Sequence, residues 1–246
     1  MYLRKSLYSN QLLYCLIVFL LMNSAAFASY LLIPMDEESQ SNHLKAYGIT
    51  FQSLVQGRKV QWLLNYRGGS FLLEDHEDFR RECTIRGVSF EIISEAESLK
   101  IIEYIASPSQ NMEAVVLEKA PKIAVYSPKD KQPWDDAVTM VLQYAEIPYE
   151  LVSDQEVLDD KLLLYEWLHL HHEDFTGQYG KFYGAFRTAP WYIESKVNAE
   201  KRAKEMGYQK VSQLKLDVAL KIRDYVFGGG FMFAMCSATD SFDIAL

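Results

Sequence analysis

Three of the five histidines of this 246-residue chain fall within four positions, His169-Leu170-His171-His172, and the carboxylates Glu173 and Asp174 follow directly. On a strand, alternate residues share a face, so His169 and His171 would point one way and His172 the other. Two imidazoles at His-x-His spacing with Glu173 beyond them could hold a divalent metal that prefers nitrogen and oxygen, such as zinc, with Cys236 as a further ligand. The same segment could instead supply a general base, His172 oriented by Asp174, for a neighbouring thiol. A third reading gives these groups the task of capping a strand end and bonding the loop after it. All three stand at this point. Cys236 is the other residue that could do chemistry. The apolar run Phe231-Met232-Phe233-Ala234-Met235 leads into it, and small residues follow at Ser237 and Ala238. That pattern puts the thiol at a tight strand-to-helix turn, where amides at the helix start can stabilise a thiolate or an oxyanion. The competing reading is a buried cysteine with a packing role.

Both groups need elements to carry them. From Ser29 the pattern alternates: a short strand at Tyr30–Ile33, a helix over Asn42–Val55, and strands at Val60–Tyr66 and Phe71–Leu73 around Arg67-Gly68-Gly69-Ser70. A charged stretch over Asp75–Ile85, a strand at Val88–Ile93 and a helix over Glu95–Ala106 follow, with a connecting strand over Met112–Lys119. A second series begins at Lys122, with the apolar strand Ile123–Tyr126, a helix over Trp134–Ala145, a strand at Tyr149–Val152, a short helix over Gln155–Leu163 and a strand at Trp167–His171. The stretch from Gln178 to Lys210 reads as an inserted excursion or a solvated helix. Val211, Leu214, Val218, Ile222, Tyr225 and Val226 recur at helical spacing up to Gly228-Gly229-Gly230, just before the strand that ends at Cys236. Strands alternating with helices predict parallel pairing and a sheet covered on both faces, with ligands at the carboxyl ends of the strands. His169–Asp174 and Cys236–Asp240 close two such strands.

The order of elements from Lys122 and the ending GGGFMFAMCSATD resemble the class I glutamine amidotransferase-like superfamily. The resemblance implies an α/β fold with a parallel, flavodoxin-like three-layer sheet, here preceded by a smaller α/β domain, and a nucleophilic cysteine at the elbow. The chain then divides into a signal peptide at 1–28, an N-terminal α/β domain at 29–119 and, by the resemblance, an incomplete amidotransferase-like domain at 120–246. It also implies an oxyanion or ligand loop drawn from HHEDFTGQYG, with Gly177 and Gly180 as its flexible positions and Ser237 as the residue after the nucleophile. The family elbow is G-x-C-x-G, and both flanking positions here are alanine, Ala234 and Ala238. The family's histidine and glutamate come from a strand after the elbow. The chain stops ten residues past Cys236, within the apolar-polar pattern Phe242–Leu246, so a truncated chain is expected.

At the other end, Arg4 and Lys5, the apolar run Leu12–Met22 and Ala26-Phe27-Ala28 make the three regions of a secretory signal peptide. Export to the periplasm or the outside follows, with no transmembrane anchor after cleavage. Cys15 lies in the apolar run behind Tyr14, which does not suit lipid attachment. Cys83 and Cys236 then remain in a compartment that tolerates disulfides, and could pair. A net charge of −8 without a basic stripe excludes nucleic-acid binding as the function. Neither glycine cluster continues as a phosphate loop or a dinucleotide fingerprint, so both are turns.

The segments SYLLIPMDEESQSNHLKAYG, WLLNYRGGSF, YEWLHLHHEDFTGQYGKF and GGGFMFAMCSATDSFDIAL resemble a set of exported bacterial proteins labelled asparagine synthetase B. That label implies glutamine-hydrolysing, ATP-dependent amidation of aspartate. Such synthetases expose an amino-terminal cysteine and carry an S-G-G-x-D-S loop, whereas Ser29 follows the expected cleavage here and neither glycine cluster continues that way. Two functions are therefore carried forward. One is a cysteine-dependent amide hydrolase or amidotransferase using Cys236, His172 and Asp174 on a small-molecule or peptide ligand. The other is a ligand-binding or assembly module of the same fold without catalysis.

Overall fold

The computed structural model describes residues 29–127, 137–177 and 183–246. The segment 1–28 with Cys15, expected to be a signal peptide, the expected helix start at Trp134–Asp136, and Gly180 with its neighbours from 178 to 182 lie outside the described residues. The chain is mixed α/β and divides into two compact units. One comprises the described residues through His43 together with Arg58–Leu117; the other comprises Leu44–Gly57 together with Glu118–Leu246.

The first unit is built on a five-stranded sheet of β1 (Ser29–Ile33), β2 (Val60–Leu64), β3 (Ser70–Glu74), β4 (Glu91–Ser94) and β5 (Glu113–Leu117), in the order β4-β1-β3-β2-β5. Every pairing in it is antiparallel, so the parallel arrangement expected from alternating strands and helices does not hold here. For β2 and β3 the reason is local. β2 and β3 are joined by a turn at Asn65–Gly69, far too short for the crossover that parallel strands require. Gly68 serves a close approach in that turn, since a Cβ there would stand 2.3 Å from the Met35 carbonyl oxygen. Arg67 fixes the turn from outside by donating to Asp36 (3.2 Å), Ser39 (3.0 Å) and Glu91 (2.7 Å). β5 is a full edge strand, pairing with β2 over five positions, rather than a connection.

α1 is His43–Val55, α2 is Glu77–Arg86 and α3 is Glu95–Ile105. α3 starts at a capping box in which Glu97 N donates to Ser94 Oγ (3.3 Å) and Ser94 N donates to Glu97 Oε2 (2.8 Å). Its inner residues Ile101, Ile102 and Ile105 join Leu32, Leu63 and Leu72 in an apolar cluster on one face of the sheet.

The second unit is built on β6 (Ile123–Tyr126), β7 (Glu150–Val152), β8 (Trp167–Leu170) and β9 (Phe231–Ala234), all parallel, in the order β7-β6-β8-β9. Its helices are α4 (Ala137–Ala145), α5 (Asp154–Leu158), α6 (Tyr183–Phe186), α7 (Pro190–Glu205), α8 (Val211–Phe227) and α9 (Ser237–Ala245), with a 3-10 turn at Lys161–Leu164 after α5. The alternation of side chains divides the core in two. Ala124, Tyr126, Leu168 and Leu170 pack with the α8 residues Leu214, Val218 and Ile222, while Ile123 and Val125 pack with Leu142 of α4 and Phe51 of α1.

The second of these clusters depends on a helix far away in sequence. A Cβ on Gly48 of α1 would stand 1.9 Å from the Ala145 carbonyl oxygen, so glycine is what lets the two helices touch. Lys45 pairs with Glu146 at 2.6 Å, and Gln52 donates to the Glu146 carbonyl at 3.3 Å. Among the described residues no helix is long and apolar enough to cross a membrane.

Candidate functional site

β8 and β9 lie side by side in register, His169 opposite Phe233 and Leu170 opposite Ala234, so their carboxyl ends open at the same edge of the sheet. The ladder continues past both strands: Met235 N donates to the Leu170 carbonyl at 2.9 Å. Cys236 follows at φ 52° and ψ −133°, at the N-cap of α9, with its side chain exposed. This is the strand-to-helix turn that the sequence predicts, in a backbone region rarely entered by any residue but glycine. Ala238 sits in the angle of the turn with no exposed surface, which explains a small residue there. Its N–H is engaged by the His171 (3.1 Å) and Met235 (3.2 Å) carbonyls, and Thr239 N donates to the Cys236 carbonyl at 3.3 Å. The Ser237 N–H, by contrast, has no acceptor among the described residues. That amide belongs to the residue after the thiol, the position from which an oxyanion donor would come if the thiol were a nucleophile.

The histidine segment is brought against this turn through backbone and side-chain bonds. Besides the His171 carbonyl, the Glu173 carbonyl accepts from Ser241 Oγ of α9 at 2.8 Å. His169 is buried at 1% exposure in β8, its ring stacked on Phe233 at 5.9 Å between centroids and 6.0 Å from the ring of His171. His171 and His172 stack at 3.6 Å, and His172 is exposed. Glu173 is buried and turns Oε2 to the backbone N–H of His171 at 2.7 Å. Asp174 accepts through Oδ1 from Thr176 N (2.9 Å) and Thr176 Oγ1 (2.5 Å). Both carboxylates therefore shape the loop. Among the described residues no three of His, Cys, Asp and Glu are gathered as a metal-ligand group.

Gly177 adopts φ +73°, and a Cβ on it would stand 2.5 Å from Ser212 Cα and 2.6 Å from Ser212 N. A close crossing over the first turn of α8 accounts for that glycine without a ligand. The two cysteines expected to remain after cleavage differ sharply. Both are free, and Cys83 is fully buried in α2, where burial pushes its thiol up to about 12.

A polar cluster at the same sheet edge was not foreseen from sequence. Tyr126 ends β6 and donates its hydroxyl to Asp154 at the start of α5; Lys215 of α8 reaches both, at 2.8 Å from the Tyr126 oxygen and 2.7 Å from Asp154 Oδ1. Burial first, and then the charge of Asp154, raises the Tyr126 hydroxyl well above the usual phenol range. Phe175, from the histidine loop, packs on the Tyr126 ring at 5.5 Å and on Phe242 of α9 at 5.5 Å. The one sequence signal for this cluster is that Lys215 falls four residues after Val211, inside the apolar stripe of its helix, where a charge needs a partner.

No protein-family model, no curated protein and no solved structure matches this chain. The resemblances to the amidotransferase-like superfamily and to the proteins labelled asparagine synthetase B rest on the quoted sequence segments alone.

Proposed function

We propose that this protein is an exported cysteine-dependent hydrolase or amidotransferase in which Cys236 attacks the carbonyl carbon of a small-molecule or peptide amide. The observation that carries the reading is the backbone of Cys236, φ 52° and ψ −133° between β9 and α9, which turns an exposed thiol out at the carboxyl edge of a parallel sheet. In the proposed reaction His172 takes the thiol proton, the sulfur–carbon bond forms, and the Ser237 N–H donates to the carbonyl oxygen as it becomes an oxyanion. The C–N bond then breaks, the amine leaves with the proton from His172, and water or an acceptor amine opens the thioester. The strand order of the parallel unit, second-first-third-fourth in its own chain order, supports a flavodoxin-like reading of the sheet.

A second reading, a binding module of the same fold without catalysis, is favoured by the loop after β8. Glu173 and Asp174 direct carboxylate oxygens at loop donors, and the Ala238 amide is already bonded. The pH dependence of Cys236 alkylation in the native full-length protein, with total bound metal measured on the same sample, separates the readings. The catalytic reading expects rapid labelling with a midpoint well below the ~8.5 of a free thiol, lost in Cys236→Ala and shifted upward in His172→Gln. Slow, metal-free labelling overturns it in favour of the binding module. A protected thiol with stoichiometric metal overturns it in favour of a metal site around His169, His171 and Glu173.

A further inference from the structure

We draw no further inference here: the strongest candidate, the open outer edge of β9 with Phe231, Phe233 and Met235 exposed along it, has nothing in the structure to show what covers it.

Discussion

A non-glycine residue held at φ 52° and ψ −133° costs about 1–3 kcal/mol, and it persists only where its surroundings over-determine it. Cys236→Gly is therefore expected to raise the stability of the protein by about 1 kcal/mol in chemical denaturation, while removing the thiol; Cys236→Ala keeps the strain and gains nothing. A destabilised glycine variant would mean that the thiol itself makes a contact worth more than the strain. The same residue shows how far sequence reaches. The strand, the cysteine and the small residues after it announce the turn, but the backbone angles that give the turn chemical meaning are not written in residue types. Cys83 teaches the complementary lesson, since a cysteine on a mostly charged helix gives no sign of being fully buried. Its folded-state value of about 12 lies above that of an unfolded thiol, so its contribution to stability is complete below the ordinary thiol range. That contribution is lost as the pH rises from there toward 12. Stability measured between neutral and strongly alkaline pH is expected to fall less steeply in Cys83→Ala than in the parent; identical slopes would remove the thiol from the alkaline transition.

At the scale of elements, the long helix α8 was legible because apolar residues recur along it at helical spacing, and β6 and β9 were legible as uninterrupted apolar runs, β8 as a short run broken only by His169. Antiparallel pairing in the first unit was not, because hydrophobic periodicity reports which face is buried and says nothing about strand direction. The Tyr126–Asp154–Lys215 cluster escaped for a related reason: its members stand on three elements distant in sequence and meet only after the sheet and α8 have packed. With 12% and 4% side-chain exposure, Lys215 and Asp154 form a buried pair. Lys215→Met is expected to cost about 3–5 kcal/mol, because it leaves the Asp154 carboxylate buried against a phenol alone. Combining it with Asp154→Leu should recover much of that loss in a double-mutant cycle. Additive penalties would show that Lys215 and Asp154 do not act as a coupled pair. Gly177 belongs at this scale too. The glycine that sequence assigns to a ligand loop is also demanded by the crossing over the start of α8, so its substitution would damage packing before it reported on binding.

For the molecule as a whole, the division of the chain is not collinear. The parallel unit takes Leu44–Gly57 from between two strands of the antiparallel sheet, and Phe51 from that helix closes the cluster of Ile123, Val125 and Leu142. Nothing in the residues of α1 states which sheet it covers; its apolar face would suit either, and only tertiary packing decides. A chain comprising residues 118–246 alone is accordingly expected to lack a cooperative unfolding transition and to bind an apolar dye, whereas the same residues fused to 44–57 through a flexible linker should unfold cooperatively. Cooperative unfolding of the shorter chain would make α1 dispensable. The position of α1 also sets an order of events. On the ribosome, α1 is finished long before β6 and α4, the elements that bury Phe51, have been made. Phe51 must wait for those partners through the synthesis of β2 to β5, so its cluster in the parallel unit is a long-range and slow folding problem. During that interval Phe51 is apolar surface that a chaperone can hold.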